Sequence, residues 1–399
     1  MNKEMKVLMT AFLWLVALLA SANDGVFYVN GNQIVPLKET DIAVTKEVLT
    51  ITIGNDDFAR VDVQYEFTNR GKAKTIDVGF EALGPYDPGS NGSTFNWTGK
   101  HPHIFDFTVE MNGTKLPIRN YVMKETQEEE DPDFTPLDRN VWVYEEDDDC
   151  SSLRKKNTDK YESISFSYAY CFKAAFKEGK NLVHHTYRYR MSSAIYEQFS
   201  IPYWLMPAMR WANHQIDDFT LRIRTDNTAK HFCMEIDDTW KASPWKLTSG
   251  AGKVRTVYSQ WGGGNYYVEF SLRNGTFEWH ANNFRPKQNI RIVSPECLVF
   301  NLGEDYKLGM YYDRNSYFIA PYEMMADEGE AKLYNGTTDG IPNKQILRNL
   351  PYANRGYVFK DAKLKAYFSK IWWYMPDPNW KQDTSDFTEQ DWKLINKTK

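Results

Sequence analysis

RVDVQYEFT, Arg60 to Thr68, sets Val61, Val63, Tyr65 and Phe67 in strict alternation with Arg60, Asp62, Gln64, Glu66 and Thr68. A period of two with one polar side is the pattern of a half-buried β-strand, because successive side chains leave the backbone on opposite faces. The same alternation returns at Phe105, Phe107, Val109 and Met111, where Asn112-Gly113 supplies a type I′ hairpin signal before Lys115–Ile118. It recurs through Ile164, Phe166, Tyr168 and Tyr170, then through Phe219, Leu221 and Ile223. Phe232, Met234 and Ile236 repeat it, as do Tyr266, Val268, Phe270 and Leu272, which run to Asn274-Gly275, read as a further turn. Helical periodicity is scarce from Asn23 to about Phe300. The pattern predicts a mainly β chain with an antiparallel β-sandwich region. Two units are expected, residues 23–206 and residues 207–326, divided near Pro207–Asn213.

The N-terminus speaks about compartment. Lys3 and Lys6 precede the apolar run Val7 to Ala20, which is too short to span a bilayer comfortably. Ala20-Ser21-Ala22 then gives an A-x-A cleavage site, so residues 1–22 read as a signal peptide and Asn23 as the first mature residue. No cysteine follows for lipid attachment, and no later stretch is apolar enough for a transmembrane helix. The expected location is periplasmic or secreted. The formal charge of −5 for the whole chain argues against nucleic acid as a partner.

Export permits disulfides among Cys150, Cys171, Cys233 and Cys297. The favoured pairs are Cys150–Cys171 and Cys233–Cys297, against a reading of four unpaired buried thiols. No C-x-x-C suggests zinc. An acidic loop at 124–150 carries Glu128-Glu129-Glu130-Asp131 and Glu145-Glu146-Asp147-Asp148-Asp149. Calcium suits carboxylates, yet EF-hand spacing is missing and such blocks usually stay solvated. His101 and His103 flank Pro102 without an evident third ligand, and adjacent His184 and His185 point to opposite faces of a strand. No metal or cofactor is expected.

Residues 327–342 are rich in Gly, Asp and Thr and read as a linker. Beyond them the period changes to 3.6, marking a helical module at 343–399. Asp361 caps a helix whose apolar face is Leu364, Tyr367, Phe368, Ile371 and Trp372. Pro376 ends it, leaving Trp373-Tyr374 on the following turn. Thr388-x-x-Asp391 resembles a capping box, with Phe387 and Trp392 placed as its hydrophobic staple. Upstream, Ile346, Leu347 and Leu350 suggest another helix, interrupted at Pro351 and stopped by Gly356.

Tyr352-Ala353-Asn354-Arg355-Gly356-Tyr357-Val358-Phe359, followed by Leu364, Tyr367-Phe368, Trp373-Tyr374 and Pro376, resembles the YARHG domain of bacterial exported proteins. Asn354 stands where that motif has Arg, and Arg355 where it has His. The resemblance implies an extracellular or periplasmic module without established chemistry. The β region is similar, more faintly, to uncharacterised exported β-rich bacterial proteins, through VDVQYEFTN and the Tyr/Trp-rich stretch Ile201–Ile223.

No nucleophile elbow, H-E-x-x-H, Walker loop or dinucleotide fingerprint occurs. The expected function is a non-catalytic exported protein that binds or builds the cell envelope. The alternative is a carbohydrate-active hydrolase using a carboxylate pair in one cleft. The module carries eleven Lys/Arg against six Asp/Glu, a net +5 beside a body of −11. It is expected either to dock onto that body or to attract an anionic envelope polymer or envelope protein. Tyr352, Arg355, Trp373 and Tyr374 are the candidate contacts, since aromatic faces and a guanidinium stack on sugars and pair with anions. Their other reading is core packing.

Overall fold

The computed structural model describes residues 32–38, 40–54, 56–85, 95–126, 133–147, 150–158, 161–194, 197–241, 244–259, 265–295, 310–313, 318–321 and 334–399. The expected signal peptide, the acidic block at 128–131 and Cys297 lie outside them. No helix among the described residues is long and apolar enough to cross a membrane.

Strands run in chain order as β1 (Val35–Pro36), β2 (Ile42–Ile53), β3 (Phe58–Asn69), β4 (Lys74–Leu83), β5 (Ile104–Met111), β6 (Thr114–Lys115) and β7 (Arg119–Lys124). Next come β8 (Trp142–Asp147), β9 (Cys150–Lys155), β10 (Ser163–Ile164), β11 (Phe166–Phe176), β12 (Gly179–Arg190), β13 (Ser192–Ala194) and β14 (Glu197–Tyr203). Then follow β15 (Ile216–Ile236), β16 (Lys246–Ser259), β17 (Asn265–Phe284) and β18 (Ile290–Val293). A 4-stranded sheet, β1-β4-β11-β7, packs on an 11-stranded sheet whose path is β13-β14-β18-β15-β2-β3-β12-β5-β6, with β17 paired to β15 and β16 to β17. Phe80 on the small sheet meets Phe107 at 5.0 Å and Tyr187 at 5.2 Å on the large one. That is a β-sandwich, as the alternation predicts. Val61, Val63, Tyr65 and Phe67 all face its core.

Two pairings depart from a simple antiparallel reading. β2 runs parallel to the first half of β15, from Glu47↔Phe219 to Ile53↔Thr225. Strands from both sides of position 207 therefore share one sheet. Asn274-Gly275, expected to be a turn, lies inside β17, which is 20 residues long. Asn112-Gly113 does close a hairpin, with φ of 51° and 82°. At Gly275 the backbone instead passes so close to β16 that a Cβ would lie 2.4 Å from the Ser249 carbonyl oxygen. The glycine there serves close approach within a bent ladder, not chain reversal.

Cys171 is a buried free thiol, so the expected Cys150–Cys171 bridge is not formed. Its sulfur lies 3.0 Å from the Tyr121 hydroxyl on the neighbouring strand. Cys233 is buried near the Ser294 carbonyl.

The C-terminal module holds three helices, α1 (Asn343–Asn354), α2 (Ala362–Lys370) and α3 (Glu389–Lys397). α1 continues through Pro351 rather than breaking there, and closes in a Schellman motif. Gly356 N–H donates to the Ala353 carbonyl and Tyr357 N–H to that of Tyr352, with Gly356 at φ +87°. Asp361 caps α2, accepting from the backbone N–H of Lys363 and of Leu364. Both halves of the Thr388/Asp391 capping box form, and the staple rings of Phe387 and Trp392 stand 5.3 Å apart. Residues 334–342, read as the end of a linker, fold with this module. Thr337–Thr338 pairs with Ile341–Pro342 across Asp339-Gly340, and Tyr334 and Ile341 enter the helical core.

Candidate functional site

Arg355, Trp373 and Tyr374 are consumed in holding the module together, while its lysines stay exposed. Arg355 is 3% exposed. Its Nε donates to Asp386 Oδ1 at 2.9 Å, its Nη2 to Asp391 Oδ2 at 2.9 Å, and its Nη1 to the Pro351 carbonyl at 3.0 Å. The guanidinium also lies over the Phe387 ring. Trp373 and Tyr374 are 1% and 5% exposed. Tyr352 is half-buried, edge-on to Phe387 at 5.0 Å. Arg355, Trp373 and Tyr374 thus present almost no surface to an envelope polymer, which corrects the expectation for them. α2 stops at Lys370, so Ile371 is extended and Trp373 turns inward while Trp372 stays half-buried.

The module docks on the body, and cations of the body reach its backbone carbonyls. Lys253 Nζ donates to the Tyr374 carbonyl at 2.9 Å and Arg273 Nη1 to that of Met375 at 3.0 Å. Ser271 Oγ reaches the Trp373 carbonyl, and the Arg255 guanidinium stacks on Trp372. Buried His231 packs on Trp373 and lies 3.3 Å from Asn354 Oδ1. Body cations bind carbonyls left open by the chain after α2.

A different feature offers an accessible site. A cleft of about 820 Å³ lies between the small sheet and the segment following β14. The small-sheet side contributes Val35, Glu81, Leu83, Glu125, Thr126 and Phe134; the other contributes Trp204, Met206, Met209, Arg210, Lys287 and Gln288. A 3₁₀ turn at Met206–Arg210 shapes the second side. Asn289 Oδ1 anchors its start by accepting from the backbone N–H of Leu205 and of Met206, and Trp211 Nε1 ties its end to the Ile34 carbonyl at 3.1 Å. On the first side Glu81 is only 6% exposed, and one carboxylate oxygen accepts from the Thr126 N–H at 2.9 Å. Burial, with the Glu81 charge behind it, raises the Glu125 pKa. The Thr126 hydroxyl is buried and makes no hydrogen bond among the described residues.

A buried polar chain runs inward from Asn32 at the cleft. Asn32 N–H donates to Tyr187 Oη at 3.1 Å, and Gln33 N–H donates to Asn32 Oδ1 at 2.7 Å. Gln33 Nε2 donates to Glu47 Oε1, and Tyr65 Oη donates to Gln33 Oε1, each at 2.7 Å. Glu47 Oε2 has no partner among the described residues, and burial pushes this carboxyl up to about 8. Burial therefore favours its neutral form.

His101 accepts at Nδ1 from His103 N–H, its Nε2 meets the Leu83 carbonyl at 2.9 Å, and burial lowers it to about 3. His185 is fully buried and likewise lowered to about 3 by burial, while His184 pairs with Asp62 on the outer face. No group of three metal-ligating side chains occurs among the described residues.

Sequence patterning touches this cleft at one point. Trp204, Met206, Met209 and Arg210 fall within the Tyr/Trp-rich stretch Ile201–Ile223. Glu81, Glu125 and Lys287 carry no local signal, because a lone charge near a strand end looks the same whether it lines a cleft or faces bulk water.

The YARHG domain family matches residues 338–399. Over the whole chain the fold is similar to that of a candidate nutrient-binding protein of Legionella pneumophila, with a TM-score of 0.50, 18% identity, and coverage of 94% of this chain and 100% of that one. An M1 zinc metallopeptidase of Deinococcus radiodurans shows a TM-score of 0.25 and 11% identity over 65% of this chain and 43% of its own. A candidate protease of Parabacteroides distasonis shows 0.18 and 9% over 64% and 40%. No curated protein matches the chain.

Proposed function

We propose that this chain is an exported, non-catalytic binding protein that takes a small solute in the cleft between Glu81 and Lys287. One observation carries the reading: the cleft presents charged groups beside apolar surface from Trp204, Phe134 and Met209, within the size range of small-molecule sites. The Legionella protein of the same fold, named for nutrient binding, supports it. The YARHG domain, which occurs in exported proteins, supports the compartment. The test is thermal unfolding of the mature chain with panels of amino acids, peptides, sugars and nucleosides, read beside Trp204→Ala. At least one class should raise the Tm saturably in the wild type, since a ligand at a hundred times its Kd adds about 2.7 kcal/mol. That rise should shrink in the variant. A flat response to every panel would remove the cleft from consideration.

A second reading has its own observation. Glu81 and Glu125 share the cleft, and burial has raised Glu125, as a carbohydrate hydrolase requires of its acid. Both carboxylates stand on the small-sheet side, however, where a glycosidase needs them flanking the scissile bond. Release of reducing ends from oligosaccharides by the wild type, lost in Glu125→Gln, would favour the hydrolase.

A further inference from the structure

The charges around the cleft are segregated. Glu81 and Glu125 stand on the small-sheet side, while Arg210 and Lys287 stand on the other. No ion pair joins Lys287 to either carboxylate among the described residues. Opposite charges in one concavity ordinarily collapse onto each other, because a direct pair recovers part of the desolvation cost of both ions. Here Lys287 is not paired with either carboxylate among the described residues. The Glu81 side chain is almost wholly buried, with one carboxylate oxygen committed to the Thr126 N–H. Beside it the buried Thr126 hydroxyl lacks a partner among the described residues, an unmet hydrogen-bonding capacity that a ligand donor would satisfy. Lys287 is exposed at the opposite rim. Trp204, Phe134 and Met209 also line the cleft, apolar surface that recognises neither charge.

Resting on the reading of this cleft as a binding site, we infer that its ligand is a zwitterion of the amino-acid or short-peptide class. The ammonium end sits at Glu81, Glu125 and Thr126, the carboxylate end faces Lys287 on the Arg210 side, and the apolar part lies on Trp204. A sugar would compensate neither the Glu81 and Glu125 carboxylates nor Lys287. A simple anion or a simple amine would leave one of the two uncompensated.

Calorimetric titration of the mature full-length chain separates these cases. The probes are the dipeptide Gly-Phe, its N-acetyl form, its C-terminal amide and glucose. Gly-Phe should bind saturably, and each blocked form about tenfold or more weakly, since each loses one charge-assisted contact. Lys287→Ala should weaken Gly-Phe but leave the amide unchanged. Glu125→Gln should weaken Gly-Phe but leave the N-acetyl form unchanged. If a blocked dipeptide binds as tightly as Gly-Phe, the zwitterion assignment falls while the cleft stands as a binding site. A preference for glucose would overturn the assignment in the same way. If no dipeptide binds at all, the assignment also falls, and the broader solute panel decides separately whether the cleft binds anything.

Discussion

Two regions of this molecule combine aromatic rings with charged groups, and they have opposite fates. In the helical module, Arg355 is surrounded by Asp386, Asp391, the Pro351 carbonyl and the Phe387 ring. In the cleft, Glu81 and Glu125 look across at Lys287 without pairing to it. The residue types are alike. What separates them is satisfaction: a cation with its donors committed and its face covered has nothing to offer a ligand, whereas charges held apart in an open concavity do.

The sharpest way to break this contrast is Arg355→Ala. It strips compensation from two partly buried carboxylates and opens the core beside Phe387. A loss of about 3–5 kcal/mol is expected, the range for removing one partner of a buried ion pair. Urea unfolding followed by tryptophan fluorescence measures it. A loss below about 1 kcal/mol would mean that Arg355 is not the structural centre of the module.

Glu47 sharpens the comparison, because it is as buried as Arg355 but lacks a counter-charge among the described residues. Its carboxyl is raised from 4.5 to about 8. Below the lower value it is protonated whether the chain is folded or not, and its contribution is fully present. Between the two values only the unfolded chain ionises, so this group makes stability fall as pH rises, by at most roughly 1.4 kcal/mol per pH unit. Above about 8 the loss is complete. Glu47→Gln should remove that slope. The observable is the difference between wild-type and variant stability across this pH window, and a constant difference would refute the assignment.

Gly356→Ala tests the docking of the module. The position has φ +87°, and a Cβ would lie 2.7 Å from the Met375 carbonyl oxygen. Strain of about 1–3 kcal/mol is expected. It should loosen the Arg273 contact to Met375, so limited proteolysis should release the module faster than in the wild type. The smallest effect is expected at the cleft. Lys287→Ala should change stability by no more than about 0.5 kcal/mol, because this exposed lysine makes no ion pair among the described residues. A large loss would place Lys287 with Arg355, among the residues that hold the fold.

How far local sequence reaches differs between the two regions. The capping box at Thr388, its staple, the Asp361 cap and the Gly356 stop are all short-range devices, and each is realised where its spacing places it. Arg355 is a different matter. Its donors are claimed by Asp386 and Asp391, more than thirty residues away. The cleft is fainter still, since its lining comes from residues 32–134, 204–210 and 287–289. Trp204 and Arg210 lie in a stretch whose composition stands out; Glu81, Glu125 and Lys287 do not.

By itself the sequence determined the β region, through a period of two that only a pleated strand can bury on one side, and the helical module, through caps that act within four residues. It also carried the YARHG motif. Tertiary structure alone decided that Asn112-Gly113 reverses the chain while Asn274-Gly275 lets a third strand come close, and that β2 finds β15 in parallel across the middle of the chain. It likewise decided that Arg355 is spent and Lys287 is not. The reason is physical: periodicity and capping are properties of neighbours in sequence, whereas burial and the pairing of charge depend on neighbours in space, which long-range strand pairing brings together only when the chain has folded.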